Sequence, residues 1–187
     1  MVQKRSLLVL AGIWFVAASI CAQAPPPDAG SADLEAFARK AALGGMTEVE
    51  LGRLAVERAS NARVKEFGQR MVDDHSRTST ELKLAARDQG IALPGELDRE
   101  HQAAVDKLSR LSGSAFDQAC MRDMVMDHEE DVAEFARAAQ HSGDSPIKSF
   151  AARSLATLQD HLKMARDIDG ELGRSTGGGA EGMLLTR

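Results

Sequence analysis

The 187-residue chain has few of the aromatic and thiol groups on which many binding and redox sites depend. It contains no tyrosine, one tryptophan and two cysteines. Platforms on which bases could stack are therefore nearly absent. Basic side chains are also outnumbered by acidic ones, with 23 Lys and Arg against 28 Asp and Glu. Because nucleic-acid phosphates need a basic surface, we predict that the protein binds no nucleic acid.

Long apolar runs are missing everywhere except near the N-terminus. There, Lys4 and Arg5 precede an apolar stretch at residues 7–20, and the small-residue pattern Ala-Gln-Ala occupies residues 22–24. This order is typical of a cleaved signal peptide, to which we assign residues 1–24. We therefore predict a periplasmic or secreted protein whose mature form has no membrane span.

Two alternatives stay open for this N-terminal segment. Cys21 is a candidate lipoprotein cysteine, although Ile20 before it is bulkier than the small residue expected there. An uncleaved anchor is the other alternative, because Pro25 is a poor first residue after a cut at Ala24.

Cys120 is the only cysteine beyond residue 24. The mature chain therefore has no internal disulfide, and we predict that this thiol is a small buried apolar group.

The rest of the chain lacks strand patterns, and its apolar residues recur at helical spacing instead. This periodicity predicts long helices at residues 33–60, 61–89, 115–140 and 145–169, with a short helix at residues 97–111. A proline-rich linker at residues 25–32 precedes them, and a glycine-rich tail at residues 170–187 is predicted to be disordered. The fold class is therefore all-α: a ferritin-like four-helix bundle with a short crossover helix between the second and third long helices.

Two adjacent glycines, Gly44 and Gly45, interrupt the first long helix. Together they cost the helix roughly 2 kcal/mol relative to alanine. We interpret them as a small-residue packing notch, with a kink or a close helix crossing as the alternative.

One short motif occurs twice. The sequence MVDDH at residues 71–75 returns as MVMDH at residues 124–128, on the second and third long helices. In each copy the methionine precedes the histidine by four residues, which places both side chains on one face of the helix. The repeat predicts two related helical hairpins, each with one inward histidine.

Four inward polar residues lie near the midpoints of the four long helices: Glu48, His75, His128 and His161. The midpoints of helices of equal length coincide whether the helices run up or down, because the rise per residue is constant. The four side chains are therefore predicted to meet in one layer. Imidazole and carboxylate groups that converge from several elements are the usual ligands of Zn²⁺ and similar ions.

Further residues could support such a metal site. Asp74 and Asp127 stand beside two of the histidines and could orient their rings. Met71, Met124 and Met164 are candidate soft ligands, which would favour copper over zinc. Iron fits less well, because di-iron bundles use Glu-x-x-His pairs that the long helices do not contain. The cofactor therefore stays unassigned, with Zn and Cu as the candidates.

Three interpretations of this layer compete. In the first, the histidines and Glu48 hydrogen-bond one another without a metal, as buried histidines commonly do, and methionines at helical spacing fill the core. In the second, the layer binds one transition metal without catalysis. In the third, it is the site of a metal-dependent or redox enzyme, which needs an open coordination position. We favour a non-catalytic protein, and we interpret Asp131 and Glu134 as solvated charges. A metal-free envelope stress or interaction module is a further alternative.

Several segments together resemble one bacterial family. They are residues 44–52 (GGMTEVELG), 61–75 (NARVKEFGQRMVDDH), 111–117, 124–128 and 155–165 (LATLQDHLKMA). Their content and order are similar to those of the domain of unknown function 4142 family, over about residues 33–168. The resemblance implies an exported ferritin-like four-helix bundle, sometimes labelled an outer-membrane protein, with no established reaction. Its motif positions correspond here to Glu48, Asp74, His75, Asp127, His128 and His161. It identifies no protein partner, and a homodimer stays open.

Overall fold

The computed structural model describes residues 29–141 and 143–177, and these form helices joined by short turns. The four long helices are α1 (Ala29–Arg58), α2 (Ala62–Asp88), α4 (Gly113–Ala139) and α5 (Pro146–Gly177), and the short helix α3 (Arg99–Ser109) lies between α2 and α4. No strand occurs in the described ranges. The predicted all-α bundle with a crossover helix is confirmed. None of the helices described is both long and apolar enough to cross a membrane.

Turn residues set several of the helix ends. The Asn61 side chain accepts a hydrogen bond from the Arg63 backbone N–H and so caps the start of α2. Gly90 has a φ of +68°, a left-handed conformation that suits glycine and follows the end of α2. At the start of α5, Ser145 Oγ accepts from the Ile147 backbone N–H, and Pro146 takes the first helical position. These local signals place the helix boundaries close to those predicted from the sequence.

The long helices pack as two hairpins, α1 with α2 and α4 with α5. Helix α2 also packs on α5, and α1 packs on α4 and on the crossover helix α3. All four long helices therefore enclose one core.

The core consists of two apolar clusters, one in each half of the bundle. We call the first apolar cluster the buried residues Leu51, Ala55, Ala59, Val64, Phe67, Met71, Leu108, Phe116, Cys120, Met121, Met124, Ala165 and Ile168. The second apolar cluster is Leu34, Ala38, Ala42, Leu82, Ala85, Ala86, Phe135, Ala138, Ile147, Phe150, Ala151 and Leu158. Cys120 is a free, buried thiol, as predicted, and burial raises its pKa to about 12. Along each long helix, the predicted polar residue lies between the two clusters.

The structure corrects two of the predicted domain boundaries. Residues 29–32, assigned to the linker, already belong to α1. Residues 170–177, predicted to be disordered, continue α5. Two contacts explain the longer helix: Leu172 packs on the first apolar cluster, and Glu171 forms an ion pair with Arg63 of α2. Tertiary packing thus outweighs the helix cost of Gly170 and Gly173. The predicted signal peptide, residues 25–28 of the linker and residues 178–187 of the tail lie outside the described residues.

The closest approach of α1 to α2 is not at Gly44 and Gly45. A Cβ at Gly44 would meet nothing within 4 Å, and one at Gly45 would be 3.4 Å from Ser79 Oγ. The close crossing is at Gly52 and Gly68, where a Cβ on Gly52 would lie 2.6 Å from the Gly68 carbonyl oxygen. The absence of side chains at both positions lets these two backbones touch.

Candidate metal centre

The four polar residues predicted to form one layer do come together. Glu48 projects from α1, His75 from α2, His128 from α4 and His161 from α5, and all four are buried, with exposed fractions of 3%, 5%, 0% and 0%. The ring centroids of the three histidines are 5.3 to 5.9 Å apart. The three histidines lie at or close to the midpoints of α2, α4 and α5, which accounts for their convergence, whereas Glu48 lies nearer the C-terminal end of α1.

One nitrogen of each imidazole is held by a hydrogen bond. His75 Nδ1 lies 2.9 Å from Glu48 Oε2, and His161 Nε2 lies 2.9 Å from Asp74 Oδ2. His128 Nδ1 lies 3.0 Å from the Met124 carbonyl oxygen. Because a carbonyl oxygen only accepts, His128 Nδ1 carries the proton. Carboxylate and carbonyl partners of this kind fix the ring orientation and tautomer of metal-binding histidines.

The other nitrogen of each ring is left without a partner. His75 Nε2, His128 Nε2 and His161 Nδ1 are buried and have no hydrogen bond within the described part of the chain. Buried polar atoms are nearly always paired, so three such nitrogens in one place require an explanation. The three histidines can each offer a ligand atom such that these atoms lie within 4.8 Å of one another. Three imidazole nitrogens from three helices at this spacing are suited to bind a transition-metal ion.

Glu48 stands beside this set. Its Oε2 is bonded to His75, whereas its Oε1 is buried without a hydrogen bond and lies 3.4 Å from His128 Nε2. Among the described residues, the group whose ligand atoms all fall within 4.8 Å contains the three histidines and not Glu48. In this geometry Glu48 orients His75.

Burial and charge set the protonation of the layer. Burial lowers the pKa of His128, and burial together with the neighbouring imidazoles lowers that of His161 to about 4. Burial also acts to lower the pKa of His75, but the Glu48 carboxylate outweighs it, and the net shift is upward. For Glu48, burial is outweighed by the three imidazoles, which hold its pKa well below the usual range. At neutral pH, two of the imidazoles are therefore in the neutral form that binds metals.

The remaining predicted site residues lie in different surroundings. Asp74 contacts His161 rather than its sequence neighbour His75, and it also forms ion pairs with two surface arginines. Asp127 is at an exposed position, and its neighbour His128 is oriented by a backbone carbonyl instead. Met71 and Met124 belong to the first apolar cluster. Met164 Sδ accepts a hydrogen bond from Arg70 Nη1 at 3.2 Å. These positions favour core packing for the first two methionines, whereas the half-buried Met164 packs on the edge of the first apolar cluster and makes this polar contact.

A small cavity beside the layer was not anticipated from the sequence. It has a volume of about 20 Å³, and its lining includes Glu48, His75, His161 and Asp131. Burial, and then the charge of Glu48, raises the pKa of the Asp131 carboxyl well above its usual range. Asp131 was interpreted as a solvated charge, and that interpretation was wrong. The signal was its spacing of three residues from His128, which places both on one face of α4.

Comparison with known proteins identifies relatives by family and by fold. A family model described as "Domain of unknown function (DUF4142)" matches residues 20–168. Among curated proteins, none matches significantly. The solved structures with a similar fold include two DUF305 proteins. A DUF305 protein from Streptomyces coelicolor, provisionally described as secreted, has a TM-score of 0.64 at 16% identity and covers 78% of this chain and 96% of its own. A DUF305 fragment from Deinococcus radiodurans has a TM-score of 0.63 at 17% identity, with 80% and 99% covered. At these identities the likeness is one of fold.

Proposed function

The chain belongs to the DUF4142 family, and on that premise we propose that it is an exported helical bundle that binds one transition-metal ion through His75, His128 and His161. The observation that carries this proposal is the set of three buried ring nitrogens without hydrogen bonds, one from each histidine. The second nitrogen of every ring is already engaged, so in the neutral form of each ring the remaining nitrogen has a lone pair available for an ion.

The chemistry of the ligands favours zinc or copper. Neutral imidazole suits both ions, and a metal bound to His75 favours the neutral form of this ring over the protonated form that Glu48 stabilises. Thioether sulfur would favour Cu(I), and the methionines Met71 and Met124 pack in the first apolar cluster beside the histidine layer. Glu48 and Asp74 act as the carboxylates that hold His75 and His161 in position.

Export of the protein is part of the same proposal. Three features support it: residues 1–24 have the pattern of a signal peptide, no described helix could cross a membrane, and a structural neighbour is provisionally described as secreted. In an exported protein, the central site would bind metal outside the cytoplasm.

Metal analysis tests the proposal directly. Protein produced without a His-tag, stripped with a chelator and then titrated with Zn²⁺ or Cu²⁺, should bind one equivalent with a dissociation constant in the micromolar range or below.

Three variants test which residues bind the metal. His128→Gln removes one ligand and should weaken metal binding by roughly 100-fold, whereas Glu48→Gln removes an orienting carboxylate and should weaken it about tenfold. His101→Gln, on the crossover helix, is the matched control and should bind like the wild type. A layer that neither retains nor rebinds metal at micromolar concentration is the metal-free hydrogen-bonded layer, and the proposal fails.

A further inference from the structure

Three histidine ligands do not complete the coordination of a transition-metal ion. Zinc sites with three protein ligands hold water or substrate in the fourth position. Here the group of ligand atoms within 4.8 Å contains three histidines among the described residues, and one oxygen of Glu48 is already bonded to His75 Nδ1. The identity of a fourth ligand therefore depends on what space lies beside the histidines.

The two sides of the histidine layer differ in this respect. On one side, Phe67 of the first apolar cluster lies with its ring centroid 6.3 Å from that of His128 and 6.5 Å from that of His161. On the other side is the cavity of about 20 Å³ whose lining includes His75, His161 and Glu48. An ordered water needs roughly 10 to 15 Å³ by the same measure, so the cavity has room for one small ligand.

The rest of the cavity lining is suited to a polar ligand. Hydroxyl groups are contributed by Thr78 and Ser79 of α2 and by Ser154 and Thr157 of α5. Thr78 and Thr157 are only half-buried, so the cavity lies close to solvent on the side where α2 packs on α5. Glu48 Oε1, which has no hydrogen bond, is a ready acceptor for a water at this point.

We propose that this cavity holds the exogenous ligand of the metal, a water or hydroxide that exchanges with small anions. The inference rests on the proposed metal site and adds to it one open coordination position. Glu48 accepts a hydrogen bond from the bound water, and the hydroxyls of Ser154 and Thr157 donate to an anion that replaces it. A metal ion with an exchangeable water is a Lewis-acid site, whereas a metal closed by four protein ligands is a structural one.

Azide binding to the Co²⁺-loaded protein tests this directly, because the visible spectrum of Co²⁺ changes when its ligands change. Addition of azide should shift the Co²⁺ absorption bands in a saturable manner. Co²⁺ that binds stoichiometrically but gives the same spectrum with and without azide means a closed site, which overturns this inference and leaves the proposed metal binding intact. A failure of Co²⁺, Zn²⁺ and Cu²⁺ to bind at all overturns both.

A matched pair of variants on α5 places the ligand in the cavity. Ser154→Leu fills the cavity from a buried position, and Ser149→Leu makes the same change at an exposed position of the same helix. We expect Ser154→Leu to retain Co²⁺ and to lose at least tenfold in azide affinity, and Ser149→Leu to behave as the wild type. If Ser154→Leu does not fold, Thr157→Leu fills the cavity from its half-buried side and should give the same loss. Unchanged azide affinity in a folded cavity-filling variant contradicts the inference.

Discussion

The two apolar clusters on either side of the histidine layer are built from different residues. The second cluster contains six alanines among its twelve members, against three among thirteen in the first. The first cluster contains more large side chains that are almost fully buried, such as Phe67, Met71, Phe116 and Met121. The cavity next to the histidines opens on the second cluster's side, where its lining includes Leu82, Phe135 and Phe150.

This difference assigns a separate role to each half of the bundle. In the first half, α1 and α2 are in backbone contact at Gly52 and Gly68, and the Phe67 ring packs against the imidazoles of His128 and His161. In the second half, small residues and hydroxyls leave room for a ligand. We infer that the first half fixes the histidine rings and the second half gives access to them. Substitutions that disturb the tight packing of the first half should therefore have larger effects than matched substitutions in the second half.

The largest effect is expected at the helix crossing of the first half. In Gly52→Ala, the new Cβ would lie 2.6 Å from the Gly68 carbonyl oxygen and 3.1 Å from Met71 Cβ. Neither backbone can move without repacking the first cluster, so the free energy of unfolding should fall by about 3 kcal/mol. Urea denaturation followed by circular dichroism measures the change.

The matched control for this substitution is in the same helix but in the other half. In Gly44→Ala, the new Cβ meets nothing within 4 Å. Because alanine is the better helix former, stability should rise by up to about 1 kcal/mol. Equal losses in the two variants would mean that the halves are packed equally tightly.

The layer between the halves should make stability depend on pH. The pKa of His161 is lowered to about 4 in the folded protein, against 6.5 in an unfolded chain. Between these values the unfolded chain binds more protons, so this stabilisation is complete above pH 6.5 and is lost as the pH falls towards 4. The shift corresponds to at most about 3 kcal/mol. His75, whose pKa is raised, acts in the opposite direction.

Comparison of the wild type with His161→Gln isolates this contribution. With a chelator present to exclude metal, the wild type should lose more stability between pH 6.5 and pH 4 than the variant does. The free energies come from urea denaturation at closely spaced pH values. Parallel curves for the two proteins would show that burial of His161 does not couple folding to protons.

Much of the fold could be predicted because its signals are local. The signals are the helical periodicity, the Asn61 cap and the Ser145-Pro146 helix start, each of which acts within a few helical turns. They were enough to predict the number and order of the helices. The convergence of the histidines followed from helix length alone, since the rise per residue is constant. The end of α5 was missed because its last turns depend on contacts with other elements, through Leu172 and Glu171.

The details of the site were beyond sequence reasoning for a similar reason. Whether Glu48 is a ligand or a partner of His75 depends on how α1 is rotated relative to α2. The same rotation decides that Gly52, rather than Gly44 or Gly45, meets the neighbouring helix. Asp131 and the cavity depend on the positions of four helices at once, which no local pattern encodes.

The smallest predicted effect compares the loops at the two ends of the bundle. In the first half, the buried carboxylate of Asp117 accepts hydrogen bonds from the backbone N–H groups of Ser60 and Asn61 and from the Ser60 hydroxyl, and so ties the α1–α2 turn to α4. At the other end, the corresponding tie is an exposed hydrogen bond between Ser145 and Gln89.

Asp117→Ala leaves the donors of Ser60 and Asn61 unpaired and should lower the free energy of unfolding by about 2 kcal/mol, with solvent water near the turn reducing the loss. Gln89→Ala removes a bond that water replaces and should change stability by less than about 0.5 kcal/mol. Urea denaturation of both variants measures the difference, and a loss in Gln89→Ala equal to that in Asp117→Ala would mean that both ends are held with equal strength.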